Sequence, residues 1–516
     1  MSTYFRELFP SNKTVKFRTD FRNVIYDLFL HRKWELTTHE TEWNLCWSEK
    51  DWINEVYDTL TLRNNQYVNH FRNYYELTRK DLLAKNIKRF KKQNNKVKKG
   101  NVTNFENKVQ SDNEIYDLDI TPLTFVLPLE YTIFLEEFKK KANRLWIMKP
   151  IGKSQGKGIF LIDKVSQIKE WNNTYSGGTF TPTATTAPTT TTALTTTTAL
   201  TITTALTTTT APTTTTATTD PTTTTAPTDP TTTTTNNSNT SNNKNKCGND
   251  KKENILIKEG ESEKTDLYIV QEYIQNPLLI GGKKFDIRLY VLIKSFYPLT
   301  IYLYRNGFAR FAHTYFKNEK NNMTDITMHL TNVAIQKNAK NYDDIVGGKW
   351  FIRELFLYMI SRYGYNNIIT LIKNIENCII QSFLSVHKII INDKHCFELY
   401  GYDILIDSNL KPWLIEVNSS PSFSSNTQDD YIMKFNLLDE LMMLINIEKY
   451  DLPDLIELGD FDCIYKNGKK VDTWKPFNFY SRLGSSASGT ENLKELAKEI
   501  MMKKKYQRVG VEAKNI

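Results

Sequence analysis

The sequence predicts an α/β fold in more than one domain, and three observations carry this. Period-two apolar runs at 266–304 and 396–418 read as β-strands, and helically spaced apolar residues fill 349–390. The 516-residue length exceeds one ordinary domain. In chain order, 14–90 reads as a compact α/β piece, with helical spacing in RTDFRNVIYDLFLHRKW. A second helix is expected in VNHFRNYYELTRKDLLAKNIKRF, where Thr78, three residues before Asp81, is placed to cap it. The basic run KRFKKQNNKVKK at 88–99 predicts a mobile loop, and regular structure resumes over 121–175. From about Gly177 to Lys246 the chain is nearly all Thr, with Ala, Pro and later Asn. Such repeats cannot bury a core, so a long disordered insertion looped out of a folded domain is expected. Residues 428–447 predict a closing helix, and the chain beyond 450 is polar, with a basic, helix-like end at 491–508.

Hydrophobic residues make up 40% and aromatics 12%, enough for a core without the low-complexity part. The net charge of +9, from 67 basic and 58 acidic residues, fits an acidic partner: nucleic acid, an anionic membrane or an acidic protein tail. Cys46, Cys247, Cys378, Cys396 and Cys463 are scattered, without CxxC spacing, which argues for a reducing compartment and against a disulfide framework or zinc site. The N-terminus has no apolar core of a secretory signal, and no window is apolar and long enough for a membrane span. A cytosolic protein is expected.

Four stretches carry side chains that could do chemistry. In KPWLIEVN, alternation puts Glu416 and Asn418 on one strand face, roughly 6–7 Å apart. Asp403 lies on a strand that DSNLK joins to this one, so a hairpin brings two carboxylates and an amide together. That set suits Mg²⁺; the alternative is a polar strand end meeting solvent. In RLWIMKPIGKSQGKGIFLI an apolar strand ends in Lys149 and a Gly- and Lys-rich loop follows, then another strand. The spacing is not a P-loop; it reads as a flexible hairpin lid over a nucleotide, or as a plain Gly-rich turn. In GGKKFDIRLYVLI, Lys284, Asp286 and Arg288 share one face, opposite Phe285, Ile287 and Leu289. The alternative here is a structural charge ladder. MHLTNVAIQK, with Thr331 and Asn332, and GGKW, with Lys349, say little alone.

Together KPWLIEVNSSPS, GGKKFDIRLYVL, WIMKPIGKSQGKGIF, MHLTNVAIQK and ELTRKDLLAKNIKRF resemble the tubulin tyrosine ligase-like family, nearest its glutamate-adding branch, the tubulin polyglutamylases. The resemblance covers about 14–175 and 266–447. It implies an ATP-grasp fold: an N-terminal α/β domain at 14–120, a central lid domain at 121–175 and 266–275, and a C-terminal catalytic domain at 276–447. The disordered insertion at 176–265 and a polar, basic tail at 448–516 fall outside it. ATP would be bound by Lys149, Gln155, Gly156, the hinge Gln271, Glu272, Tyr273 and Ile274, by Lys284, Phe285 and Asp286, and by Thr331 and Asn332. Asp403, Glu416 and Asn418 would hold Mg²⁺, Arg310 and Lys349 would grip the incoming glutamate, and Arg288 would face the phosphates or the reacting carboxylate. The insertion departs from the family pattern between lid strands and hinge, which bears on access rather than chemistry.

The implied reaction joins free L-glutamate to a glutamate side chain of the acidic tubulin C-terminal tail, through an acylphosphate. It requires positioning and charge neutralisation rather than a protein nucleophile. Implied partners are tubulin or microtubules and other subunits of a polyglutamylase complex, with no nucleic acid and no membrane. The implied places are the cytoplasm and cytoskeleton, with the cilium, flagellum or basal body among them. The alternatives are a glycine or tyrosine ligase, a non-catalytic microtubule-binding protein and a small-molecule ATP-grasp ligase. Deleting 179–245 is expected to leave melting temperature and activity nearly unchanged; calorimetry and a ligation assay on the shortened chain check this.

Overall fold

The computed structural model describes residues 14–98, 119–141, 144–168, 267–317, 325–337, 348–450, 456–471 and 483. The expected Thr-rich insertion, Cys247 and the basic end at 491–508 lie outside them. The fold is mixed α/β, with three sheets among the described residues.

The first sheet is parallel, in the order β2-β1-β3-β4, from β1 (Lys16–Thr19), β2 (Glu35–Leu36), β3 (Leu45–Trp47) and β4 (Tyr67–Val68). Between its first two strands runs α1 (Val24–His31), whose start is capped by the Asn23 side chain accepting from the Ile25 amide. After α2 (Lys50–Val56) and α3 (Tyr75–Thr78) comes α4 (Lys80–Lys98). Two expectations fail here. Thr78 closes α3, and its hydroxyl donates back to the Tyr74 carbonyl at 3.4 Å instead of capping α4. The basic run is helix through Lys98, not a loop. Lys and Arg are good helix formers, and the run is anchored by Lys88 on Glu130 at 2.9 Å and by Lys91 on Asp119.

The second sheet is antiparallel, in the order β5-β8-β6-β7, from β5 (Thr124–Leu127), β6 (Trp146–Pro150), β7 (Phe160–Ile162) and β8 (Tyr268–Glu272). Its apolar face packs Trp146 against Phe134 and Phe138 of α5 (Tyr131–Lys140).

The third sheet has nine strands. Its path runs β14 (Pro412–Asn418), β13 (Glu398–Ile406), β10 (Lys283–Phe296), β11 (Leu299–Phe311), β16 (Phe461–Lys466) and β15 (Glu457–Leu458). β9 (Leu279–Ile280), β12 (Lys349–Phe351) and β17 (Lys469–Lys470) pair with β10, β11 and β16. The connections hold α6 (Ile326–His329), α7 (Val333–Gln336), α8 (Ile352–Tyr363), α9 (Tyr365–Leu384) and α10 (Gln428–Ile445). Strand β10 sets the layering. Phe285, Ile287, Leu289, Val291 and Ile293 share one face and bury themselves with Leu355 and Met359 of α8 and Ile375 and Ile379 of α9. The other face begins with Lys284, Asp286 and Arg288, then turns apolar with Tyr290 and Leu292, which pack with Leu437 and Leu441 of α10. The polar end of that face is therefore walled by core on the remaining sides. Among the described residues no helix is long and apolar enough to cross a membrane.

The chain beyond 450, expected as a polar tail, contributes β15–β17 to this sheet. Its polarity belongs to buried pairing. Arg305 of β11, 0% exposed, donates to Asp462 at 2.6 and 2.8 Å and to Glu457 at 2.6 Å. Removing one partner of a buried pair strands the other charge. Arg305→Leu is expected to lower unfolding stability by about 3–5 kcal/mol, read as a lower denaturant midpoint.

Candidate functional site

Strand register builds the site. Across the third sheet, Arg310 of β11 stands opposite Asp286 of β10 on one side and Lys349 of β12 on the other. One row along, Arg288 of β10 faces Asp403 of β13, which faces Glu416 of β14. The pairs are made. Arg310 Nε lies 2.9 Å from Asp286 Oδ1, and its NH2 lies 3.0 Å from Asp403 Oδ2. Arg288 grips Asp403 with two nitrogens, NH2 to Oδ2 being 3.0 Å. The charge ladder is real, and it also floors a cleft. That cleft holds about 810 Å³ of empty space, part of it open solvent.

The second sheet roofs the cleft. Lys149 of β6 is buried, and its Nζ donates to Gln271 Oε1 of β8 at 2.7 Å; Gln271 in turn donates to Thr124 of β5 at 2.9 Å. Gln271 therefore fixes Lys149, and the Glu272 carboxylate is held by Lys141 and Arg144. The loop after β6 turns at Gln155 and Gly156, with φ of 59° and 78°. A Cβ on Gly156 would meet Ile335 of α7 at 2.9 Å, so both conformation and closeness require glycine. Tyr273 donates to or accepts from His329 Nδ1 at 2.8 Å, and Lys284 Nζ donates to the His329 carbonyl at 2.8 Å and to the Tyr273 hydroxyl at 3.1 Å.

Of the residues singled out from sequence, Lys149, Gln155, Gly156, Gln271, Glu272, Tyr273, Ile274, Lys284, Asp286, Arg310, Thr331, Asn332, Asp403 and Glu416 line this cleft. Four do not. Phe285 points to the opposite, apolar face and is 1% exposed. Arg288 is spent on Asp403 beneath the floor. Lys349 lies beyond Arg310, with its Nζ 3.3 Å from Asp430 Oδ2. Asn418 ends β14, its Nδ2 3.4 Å from both Asp403 Oδ2 and Glu416 Oε1. The sequence reading missed Lys80, Lys153 and His329, which also line the cleft. Lys80 opens α4 with its Nζ 4.0 Å from Glu416, and only its place in ELTRKDLL marked it.

The two carboxylates differ. Burial alone pushes the Asp403 acid up, but the Arg288 and Arg310 guanidiniums outweigh it and hold the carboxyl well below the usual range. Burial, and then the Asp403 charge, push the Glu416 carboxyl up. A divalent cation would relieve that repulsion. Glu416 is 26% exposed towards the cleft, and a half-turn of the Asn418 amide presents Oδ1 to the same spot, so two acids and an amide fit a hard cation. Among the described residues no three His, Cys, Asp or Glu side chains gather as a metal cluster. Burial lowers Lys149 of the roof to about 8 and Lys284 of β10 to about 7.

A model of the tubulin-tyrosine ligase family matches residues 59–451. The chain is 34% identical to "Probable tubulin polyglutamylase TTLL9" of Rattus norvegicus over 500 residues, 95% of this chain and 94% of the relative. It is 34% identical to "Probable alpha-tubulin polyglutamylase Ttll1" of Tetrahymena thermophila over 475 residues, 89% of this chain and 95% of the relative. It is also 29% identical to human "Tubulin polyglutamylase TTLL5" over 443 residues, which is 83% of this chain and 25% of that longer protein.

The two depressed lysines make a pH signature. A bound polyanion favours their charged forms, so binding takes up protons. Tripolyphosphate titrated calorimetrically at pH 8, in buffers of different ionisation enthalpy, should show net proton uptake. Affinity should fall as pH rises past the lysine values of about 7 and about 8; proton release would refute the assignment.

Proposed function

Because this chain belongs to the tubulin-tyrosine ligase family, we propose that it is a tubulin polyglutamylase, ligating L-glutamate onto glutamate side chains of the tubulin C-terminal tail at the expense of Mg·ATP. One observation carries the chemical part. A lysine-rich roof and a floor of paired carboxylates face each other across one cleft, with a cationic group, Arg310, at its inner end. On this reading the second sheet is the lid of an ATP-grasp fold, and the third is its catalytic domain.

Lys149 from the roof and Lys284 from β10 neutralise phosphate oxygens, and the Gln155–Gly156 turn brings backbone close to them. Tyr273 and Ile274 border the base. Asp403, Glu416 and Asn418 would hold Mg²⁺, which would supply charge neutralisation for phosphoryl transfer. Arg288 and Arg310 keep Asp403 ionised at every physiological pH, so that ligand is always ready. The tubulin carboxylate takes the γ-phosphoryl group, and an acylphosphate and ADP result. The α-amine of free glutamate then attacks the acyl carbon, the amide C–N bond forms, and phosphate leaves with the C–O electron pair. The amine proton passes to solvent or phosphate. Arg310 and Lys349 orient the amino acid, and no side chain of the enzyme becomes covalently linked.

Excess positive charge suits an acidic tail. Cytoskeletal placement follows from the substrate, with cilia, flagella or basal bodies among its sites. Other subunits of a polyglutamylase complex are proposed partners.

Glu416→Gln is the test. It keeps shape but removes one of the two carboxylate charges that would face the cation, and glutamate incorporation into microtubules is expected to fall by about 10²-fold or more, with the melting temperature preserved. Turnover like the wild type would remove the metal assignment.

A further inference from the structure

The roof carries a side chain that the nucleotide reading leaves without a task. Thr124 of β5 is 4% exposed and does not itself line the cleft. It stands directly opposite Gln271 of β8, and Gln271 is opposite Ile147 of β6, two residues before Lys149. Alternation therefore puts Thr124, Gln271 and Lys149 on the cleft side of the second sheet, while Phe125, Trp146 and Val270 turn to the core formed with α5.

The three side chains make a line of hydrogen bonds with only one possible direction. Lys149 has only protons to give, and its Nζ donates to Gln271 Oε1 at 2.7 Å. Thr124 has a single hydroxyl proton and donates it to the Pro122 carbonyl at 2.8 Å. Its oxygen is left to accept, and it takes the Gln271 Nε2–H at 2.9 Å. Each end of the amide is thus demanded by a different neighbour: the oxygen by Lys149, the nitrogen by Thr124. An amide turned end for end would aim N–H groups at an ammonium, and a carbonyl oxygen at a hydroxyl whose proton is already committed. Lys149, Gln271 and Thr124 are all buried, so water relieves neither contact.

We propose that Thr124 is a positioning residue for the nucleotide: by accepting from Gln271 it fixes which end of that amide meets Lys149, and so sets where Lys149 presents its ammonium to a phosphate. This deepens the reading of the cleft as an ATP site and rests on it. Thr124 touches neither nucleotide nor metal and acts through two side chains. Without its oxygen Gln271 is free to turn, and Lys149 loses an acceptor that favours its charged form against burial.

The test uses the full-length chain and measures Mg·ATP affinity by calorimetry, without tubulin. Thr124→Val and Thr124→Ser are compared in the wild-type and Lys149→Ala backgrounds. Thr124→Val keeps volume but removes the acceptor, and is expected to weaken ATP about 5–10-fold. Thr124→Ser keeps the hydroxyl and should stay within about twofold of the wild type. In Lys149→Ala the loss from Thr124→Val should vanish, because it runs through that lysine; a packing fault alone would repeat the same loss in both backgrounds. The pH at which ATP affinity begins to fall should also move lower in Thr124→Val and stay in place in Thr124→Ser. Melting curves show which variants remain folded; if Thr124→Val unfolds, Thr124→Cys, similar in size and a weak acceptor, carries the same comparison. Wild-type affinity in folded Thr124→Val, or an equal loss with and without Lys149, overturns the positioning role and leaves the ATP site standing. Wild-type affinity in Lys149→Ala overturns the nucleotide role of that lysine, and the proposal with it.

Discussion

Everything in the site hangs on one buried carboxylate shared between two guanidiniums. Asp403 is 2% exposed and is gripped by Arg288 from its own row and by Arg310 from the next. None of these charges would be tolerated alone in the interior, and each is present because the others are. Their spacing is set by the register of four strands rather than by flexible loops. The same strands bury Ile287, Leu289 and Tyr402 between or beside these charges, pointing the other way into the helix-backed core. Fold and site are thus two faces of the same pleat. A one-residue slip in pairing would bury the charges in the core and expose the apolar row.

The site divides into two electrostatic ends. Where Lys149 of β6 and Lys284 of β10 lie, the lysines are depressed by burial and suit an anion. Near β12 and α10, lysines gather around Asp430 and Phe308. Between them lie the acids, Asp286, Asp403 and Glu416. The proposed ligation, which joins an ATP-activated carboxylate to an amine, would draw on this polarity, with cations for its anionic substrates and acids for a metal ion.

Local pattern made much of this readable. Period two placed Lys284, Asp286 and Arg288 on one face, and a five-residue turn implied that Asp403 meets Glu416; both hold in the structure. What stayed hidden depends on contacts far apart in sequence. Lys80 reaches Glu416 from more than 300 positions away in the chain, and Lys434 reaches Lys349 only through Asp430. β15 and β16 read as part of a polar tail, and only pairing with Arg305 makes Asp462 interior. Phe285 was grouped with its charged neighbours by adjacency, although alternation sends it to the core. The basic helix was misread because charge density says nothing of backbone state; Lys and Arg suit helix and loop alike.

The strand order of the roof carries a further consequence. β8 lies between β5 and β6, yet about a hundred residues separate it from β7 in the chain. During translation the neighbours on either side of β8 emerge first and have a vacant lane between them. Hydrogen-bonding edges of β5 and β6 therefore face the ribosome-proximal environment until the later segment arrives, a delay of several seconds at typical synthesis rates.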